Sequence, residues 1–90
     1  MQYPIILSFN NITDIPDICQ FRDGSILATS DQFKIGVTSD EQECARLVRR
    51  TNPGAKGATL YGGNECYAEY GREVAGPDNS NRYCFFGNII

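Results

Sequence analysis

The sequence predicts a small α+β fold in which one helix packs against β-strands and two disulfides reinforce the core. Three observations support this prediction. The chain has 90 residues, which corresponds to a single module with a small core. Its four cysteines are widely spaced, a pattern typical of disulfide-stabilised secreted domains. One segment with helical periodicity lies between segments that alternate like strands. Residues 1–90 are therefore expected to form one domain.

Before the helix, several short segments alternate between apolar and polar residues. Residues 5–9 read as a first strand, and residues 19–22 as a second extended segment that ends at an Asp-Gly turn. Residues 25–28 and 33–37 are predicted to form a hairpin across residues 29–32. Three apolar residues of its second strand are expected on one face: Phe33, Ile35 and Val37.

The clearest element is a helix over residues 40–51. Thr38 or Ser39 is expected to cap it, because Glu41 and Gln42 follow these residues at capping-box spacing. Acidic residues near its start and arginines near its end complement the helix dipole. Its apolar stripe consists of Cys44, Leu47, Val48 and Thr51. The sequence Asn-Pro-Gly at residues 52–54 ends it.

A second hairpin follows the helix. Residues 57–61 and 65–71 are joined by Gly62-Gly63-Asn64, which favours a tight turn. The side chains expected to point inward are Ala58, Leu60, Cys66 and Ala68. A long polar loop over residues 72–82 leads to a final strand at residues 83–86.

The faces of these elements indicate how the cysteines pair. Four cysteines allow three pairings. Cys44 lies on the apolar face of the predicted helix and Cys66 on the inward face of the hairpin, so packing the helix on the sheet brings them together. Cys19 then pairs with Cys84. In the chain-entropy model each bond stabilises the fold by roughly 3–4 kcal/mol.

Three segments carry a resemblance to a known family. They are residues 38–48 (TSDEQECARLV), 57–61 (GATLY) and 64–69 (NECYAE). With the cysteines near both ends, they resemble the PAN/apple family, whose pattern is a helix opening with a cysteine, a strand, a short turn and a strand bearing another cysteine. The resemblance covers about residues 19–86. It implies an antiparallel sheet of about five strands crossed by one α-helix, with the same two disulfides.

The sequence departs from the family at one place. Family members often have a further disulfide between the next turn of the helix and the start of the following strand. This chain has Val48 on the helix and Gly57 or Ala58 on the strand, so an apolar contact is expected there instead. The resemblance also implies a role, since family members act in adhesion and recognition and bind proteins or carbohydrates, usually within longer extracellular chains.

Composition argues against several classes of protein. The chain contains no histidine, which removes the commonest general base, so no enzymatic activity is expected. A net charge of −3 argues against nucleic-acid binding. No apolar run approaches the ~20 residues of a membrane span. The sequence also has no CxxC pair of the kind that forms metal sites. Neither a cofactor nor a metal is predicted.

Candidate ligand contacts lie on the second hairpin. Tyr61 and Tyr67 alternate away from its inward residues, so they are expected together on the outer face, near Asn64 and Glu69. Tyrosines in such a place stack on sugar rings while polar neighbours bond the hydroxyls. Alternatively, they form a cross-strand pair that only stiffens the sheet. Glu65 and Glu69 form a carboxylate pair such as glycosidases use, but a small open module lacks the cleft that such an enzyme needs.

A group of cations forms a second candidate site. On the helix face opposite Cys44, or just beyond it, lie Arg46, Arg49, Arg50 and Lys56. They are interpreted as an anion patch for a sulfated glycan or an acidic protein surface. The alternative is a solvated helix face, on which Glu43 neutralises Arg46 three residues later.

Two polar segments complete the candidates. Residues 78–81 offer oxygen ligands of the kind calcium uses, but they lack the spacing of a calcium loop, so a turn-rich connector is predicted. Asn11-Ile12-Thr13 is an N-glycosylation sequon, which makes Asn11 a candidate glycosylation site.

Together, these features predict a secreted, lectin-like recognition or adhesion module that binds a carbohydrate or protein ligand without catalysis. Two other roles remain open. One is a structural matrix or interaction domain of a larger extracellular protein, and the other is a small secreted inhibitor or toxin-like effector.

Overall fold

The computed structural model describes residues 18–87. The strand predicted at residues 5–9 and the sequon at Asn11 lie outside this range. The elements in chain order are β1 (Arg22–Asp23), β2 (Ser25–Ile26), β3 (Gln32–Val37), α1 (Glu41–Thr51), β4 (Gly57–Tyr61), β5 (Glu65–Glu69), β6 (Val74–Ala75) and β7 (Arg82–Phe85).

Five strands form one antiparallel sheet in the order β1-β7-β4-β5-β3. The hairpin of β4 and β5 is its centre, as predicted, and α1 packs across one face against β3, β4 and β5. The strands β2 and β6 form a separate antiparallel pair. The predicted fold, an antiparallel sheet of about five strands crossed by one helix and stapled by disulfides, is confirmed.

The helix begins after Asp40 and not after the residues predicted to cap it. The Asp40 side chain accepts hydrogen bonds from the backbone N–H groups of Gln42 (3.0 Å) and Glu43 (3.3 Å), which satisfies two free donors at the helix start. The prediction of a Thr38 or Ser39 cap is therefore wrong, and the Thr38 hydroxyl instead accepts a bond from the Asp40 N–H. At the other end the helix stops before Pro53-Gly54, as predicted.

The main core lies between α1 and the sheet. Its buried residues are Cys19, Cys44, Ala45, Val48, Ala58, Leu60, Cys66, Ala68 and Cys84. Val48 and Ala58 belong to this cluster, where an apolar contact was expected in place of a further family disulfide. The buried stripe of the helix is displaced from the predicted one, because Ala45 is fully buried whereas Leu47 is only half-buried and Thr51 is exposed.

Both predicted disulfides are present. Cys44–Cys66 joins the helix to the central hairpin with 5.5 Å between the Cα atoms. Cys19–Cys84 joins the segment before β1 to the last strand, with 5.9 Å between the Cα atoms. All four sulfur-bearing side chains lie in the core, so the two covalent bonds hold the helix and both ends of the described chain on the sheet.

A second, smaller packing layer covers part of the sheet face opposite the helix. Ile26 of β2 is fully buried there, and its N–H donates to the hydroxyl of Thr59 in β4 (3.1 Å). A Cβ placed on Gly57 would come within 2.9 Å of the Cδ1 atom of Ile26, so glycine is what lets β2 lie this close. The predicted hairpin of residues 25–28 with 33–37 is wrong, because β2 pairs with β6 and β3 pairs with β5.

The first long strand, β3, does not present its apolar residues on one face. Its register against β5 shifts between Lys34 and Gly36, so a β-bulge interrupts the alternation. Ile35 packs against the core, whereas Phe33 and Val37 are 50% and 67% exposed. The predicted shared face is wrong for Val37, which pairs with Glu65 of the outer face, whereas Phe33 pairs with the inward residue Ala68.

Candidate functional site

The central hairpin brings Tyr61 and Tyr67 into contact on the sheet face opposite the helix. Thr59 pairs with Tyr67 across the two strands, and Tyr61 pairs with Glu65, so the tyrosines are diagonal neighbours. Their ring centroids are 4.9 Å apart at an interplanar angle of 83°. Both residues are half-buried. The predicted location of the pair on the outer face of the hairpin is observed.

The Tyr61 ring is held by its hydroxyl. The hydroxyl donates to the carbonyl oxygen of Ile26 (3.3 Å) and accepts from the Nε2 group of Gln32 (3.0 Å). These contacts come from β2 and from the start of β3, so two separate strands fix the ring. Tyr61 therefore orients Tyr67 through the edge-to-face contact.

Glu69 does not share the exposed surface of the tyrosines. Its relative exposure is 0%, and both carboxyl oxygens accept from Gln32 Nε2, at 2.9 and 3.1 Å. Burial raises the pKa of Glu69 to about 7, against the lowering effect of hydrogen bonds from Thr59 and Gln32. The predicted ligand contact at Glu69 is wrong. Strand alternation correctly put it on the outer face, but it could not show that the chain around β2 and β3 covers this end of that face.

The opposite end of the same face is polar and accessible. Asn64 is exposed in the turn of the hairpin, where its N–H donates to the Tyr61 carbonyl oxygen (3.1 Å) and its carbonyl oxygen accepts from Thr38 (2.9 Å). Lys34 of β3 lies across from Tyr67 and forms an ion pair with Glu65 (3.6 Å). We refer to Lys34, Tyr61, Asn64, Glu65 and Tyr67 as the tyrosine face.

The four residues of the predicted anion patch have different surroundings in the structure. All four of its residues are exposed: Arg46, Arg49, Arg50 and Lys56. Arg46 lies 3.8 Å from the Glu43 carboxylate three residues earlier, as the alternative of a solvated helix face requires. The Arg49 guanidinium lies over the Phe86 ring, 5.4 Å from its centroid.

Arg49 and Lys56 line a cleft that the sequence did not reveal. The cleft has a volume of about 540 Å³ and lies between the end of α1 and the ends of β4 and β7. Arg72, Phe85 and Phe86 also line it. Sequence reasoning assigned Arg72 to a polar loop and the phenylalanines to a strand, and no spacing pattern connects these positions to the helix.

The polar segment at residues 78–81 forms hydrogen bonds among its own side chains and backbone. The Asp78 carboxylate accepts hydrogen bonds from the N–H and hydroxyl of Ser80 and from the side-chain amide of Asn81. These bonds lower the pKa of Asp78. Within residues 18–87, no group of three or more cysteine or acidic side chains is arranged to hold a metal ion, and no helix is long and apolar enough to cross a membrane.

Comparisons with models of known families, with characterised proteins and with solved structures found no match to this chain. The resemblance to the PAN/apple family therefore stays a prediction. The observed helix, hairpin and disulfide connectivity agree with what that resemblance implies for the fold.

Proposed function

We propose that this protein is an extracellular recognition module that binds a carbohydrate ligand at the tyrosine face without catalysing a reaction. The observation that carries the proposal is the Tyr61–Tyr67 pair, whose rings are half-exposed and 4.9 Å apart on a sheet held by two disulfides. Aromatic rings presented in this way stack on the C–H faces of sugar rings.

The rigidity of the pair supports this role. Tyr61 is held by bonds to Gln32 and Ile26, and the Cys44–Cys66 disulfide anchors the strand that carries Tyr67. Side chains that are already ordered lose little conformational entropy when a ligand binds. A small module with a shallow surface depends on such preorganisation for useful affinity.

The polar groups around the rings also fit a sugar. Asn64 provides an exposed amide at one end, and the Lys34–Glu65 ion pair borders Tyr67. Amides and carboxylates of this kind hydrogen-bond to sugar hydroxyls and set orientation. The burial of Glu69 supports a non-catalytic role, because it removes one carboxylate of the pair that a glycosidase would need.

The proposed extracellular location rests on the disulfides. Two disulfides connect all four cysteines of a chain of 90 residues. Such bonds persist in oxidising compartments and are rare in reducing ones. The predicted sequon at Asn11 is consistent with the same compartment.

A glycan array probed with the disulfide-bonded protein tests the function. We expect binding to a defined subset of sugars, and the strongest uncharged sugar among these is then titrated by calorimetry. Tyr67→Ala should weaken binding by about 1–2 kcal/mol, the scale of a lost aromatic anchor. The matched control is Tyr83→Ala, which removes a half-buried tyrosine from another edge-to-face pair, with Phe85 at 5.8 Å.

The control variant should bind sugar with unchanged affinity, and both variants should keep the disulfides intact by mass spectrometry. An array without hits would contradict the carbohydrate proposal and favour a structural or protein-binding module. Equal loss of affinity in both tyrosine variants would show that binding lies elsewhere or depends only on overall stability.

A further inference from the structure

The cleft beside the end of α1 is cationic, although the protein as a whole is acidic. Arg49, Lys56 and Arg72 line it, and no acidic residue of the described chain does. These are three of the eight lysines and arginines in a chain with a net charge of −3. The cleft therefore has the opposite charge to the molecule that carries it.

Helix electrostatics explain only part of this grouping. A basic residue in the last turn, such as Arg49, complements the negative end of the helix dipole. Lys56 and Arg72 follow the helix in sequence and belong to the segments that flank β4 and β5. Their presence in the same cleft has no such explanation and adds to its positive charge.

Like Arg22 and Arg50, the cleft cations form no salt bridge within residues 18–87, whereas three other cations do. Lys34, Arg46 and Arg82 each form a salt bridge with a carboxylate. Within residues 18–87, no salt bridge involves any of the three cleft cations. An anion bound between them would reduce their mutual repulsion.

Two of the cations are preoriented by aromatic rings. Arg49 lies 5.4 Å from the Phe86 centroid and Arg72 lies 5.8 Å from the Phe85 centroid. Successive residues of an extended chain point to opposite sides, so the two guanidinium groups approach the cleft from different sides. A guanidinium that lies over a ring keeps N–H groups available to bond oxyanions.

We propose that this cleft binds a compact ligand that carries two or more oxyanion esters, namely a sulfated or phosphorylated sugar. Two esters suit cations that approach from two sides, and the terminal oxygens of each ester match the forked donors of arginine. The volume of about 540 Å³ is in the range of small-ligand sites. This second site does not depend on the tyrosine face.

Calorimetric titration of the full chain tests the proposal, with sucrose octasulfate and inositol hexakisphosphate as probes at low ionic strength. We expect saturable binding of one ligand per chain that weakens as salt is added. Preference for the sulfate or the phosphate probe identifies the kind of ester. Sucrose should not bind in the cleft, and hexaglutamate should bind more weakly than the polyesters.

Charge-matched variants locate the binding. Arg49→Gln and Arg72→Gln should each lower affinity about tenfold, because each removes charge-assisted hydrogen bonds. Arg50→Gln makes the same change in net charge on an exposed residue that does not line the cleft, and it should change affinity less than about twofold. Tyr67→Ala should leave polyester binding unchanged, which separates this test from that of the tyrosine face.

NMR titration provides a readout that does not depend on any variant. The amide signals of Gly54 and Phe86 should shift most when the polyester is added, since these residues border the cleft. The proposal is contradicted if neither polyester binds saturably, if hexaglutamate binds equally well, if Arg50→Gln weakens binding as much as Arg72→Gln, or if the shifts lie outside the cleft.

Discussion

Replacing Glu69 by glutamine removes a buried carboxyl group whose ionisation opposes folding. Glu69 is fully buried, and its described side-chain partners are the neutral groups of Gln32 and Thr59. Burial raises its pKa from 4.5 to about 7. Between these pH values the folded protein keeps a proton that the unfolded chain releases, so the stability of the folded state decreases as the pH rises.

The size of the effect follows from the two pKa values. Each unit of difference between the pKa values of the unfolded and folded states is worth about 1.4 kcal/mol. The rise of the Glu69 pKa from 4.5 to about 7 therefore corresponds to at most roughly 3 kcal/mol of unfolding free energy. The decrease should begin near pH 4.5 and level off above pH 7. Asp78, whose pKa is lowered from 3.8, loses its contribution only as the pH falls below this window.

Urea unfolding of the wild type and Glu69→Gln at pH 4.5, 5.5, 6.5 and 7.5 provides the measurement. The free energy of unfolding of the variant should rise relative to that of the wild type by up to roughly 3 kcal/mol across this pH range. Any effect of the amide on stability that does not depend on pH shifts the whole profile and leaves this difference unchanged. Glu65→Gln is the matched control, since Glu65 lies two residues earlier on β5 and pairs with Lys34 near the surface. Parallel pH profiles for the wild type and Glu69→Gln would show that the Glu69 carboxyl group keeps an ordinary pKa in the folded protein.

Three further predictions concern stability. Replacing both cysteines of the helix-to-hairpin disulfide, which spans 22 residues, should cost about 3 kcal/mol in urea unfolding; an unchanged midpoint would contradict this. Gly57→Ala should destabilise by at least about 2 kcal/mol, because the added Cβ would overlap the Cys84 carbonyl oxygen. Gly63→Ala, at an open turn with φ +84°, should cost only about 1 kcal/mol, and equal costs would argue against the close packing at Gly57. Asp40→Ala should cost about 1 kcal/mol of helix-capping energy, while Ser39→Ala should change stability little. A larger loss of thermal stability in Ser39→Ala than in Asp40→Ala would support the predicted cap at Ser39.

The helix, the central hairpin and the disulfides could be predicted because their signals are local or follow from shared faces. Helical spacing places Cys44 inward, and strand alternation places Cys66 on the facing side, so their pairing needs no further information. The position of the cap was missed by one or two residues because Thr38, Ser39 and Asp40 are all residue types that cap helices.

Strand pairing between distant segments could not be predicted. The sequence favoured pairing of β2 with the next strand, whereas β2 bonds to β6, which lies far along the chain within a loop of polar composition. The burial of Glu69 also depends on the chain around β2 and β3, which covers this end of the sheet face opposite the helix. The cationic cleft was missed for a similar reason, since Arg49 and Arg72 are brought together only by the way β7 ends beside α1.

The most direct test of the proposed function is an NMR titration of the isotope-labelled, disulfide-bonded protein with the strongest uncharged sugar found on the array. The largest amide shifts should lie on the tyrosine face, at Lys34, Tyr61, Glu65 and Tyr67, and Tyr67→Ala should require roughly 5- to 30-fold more sugar to produce them. Shifts confined to the helix or to the cationic cleft, or no shifts at saturating sugar, would contradict it.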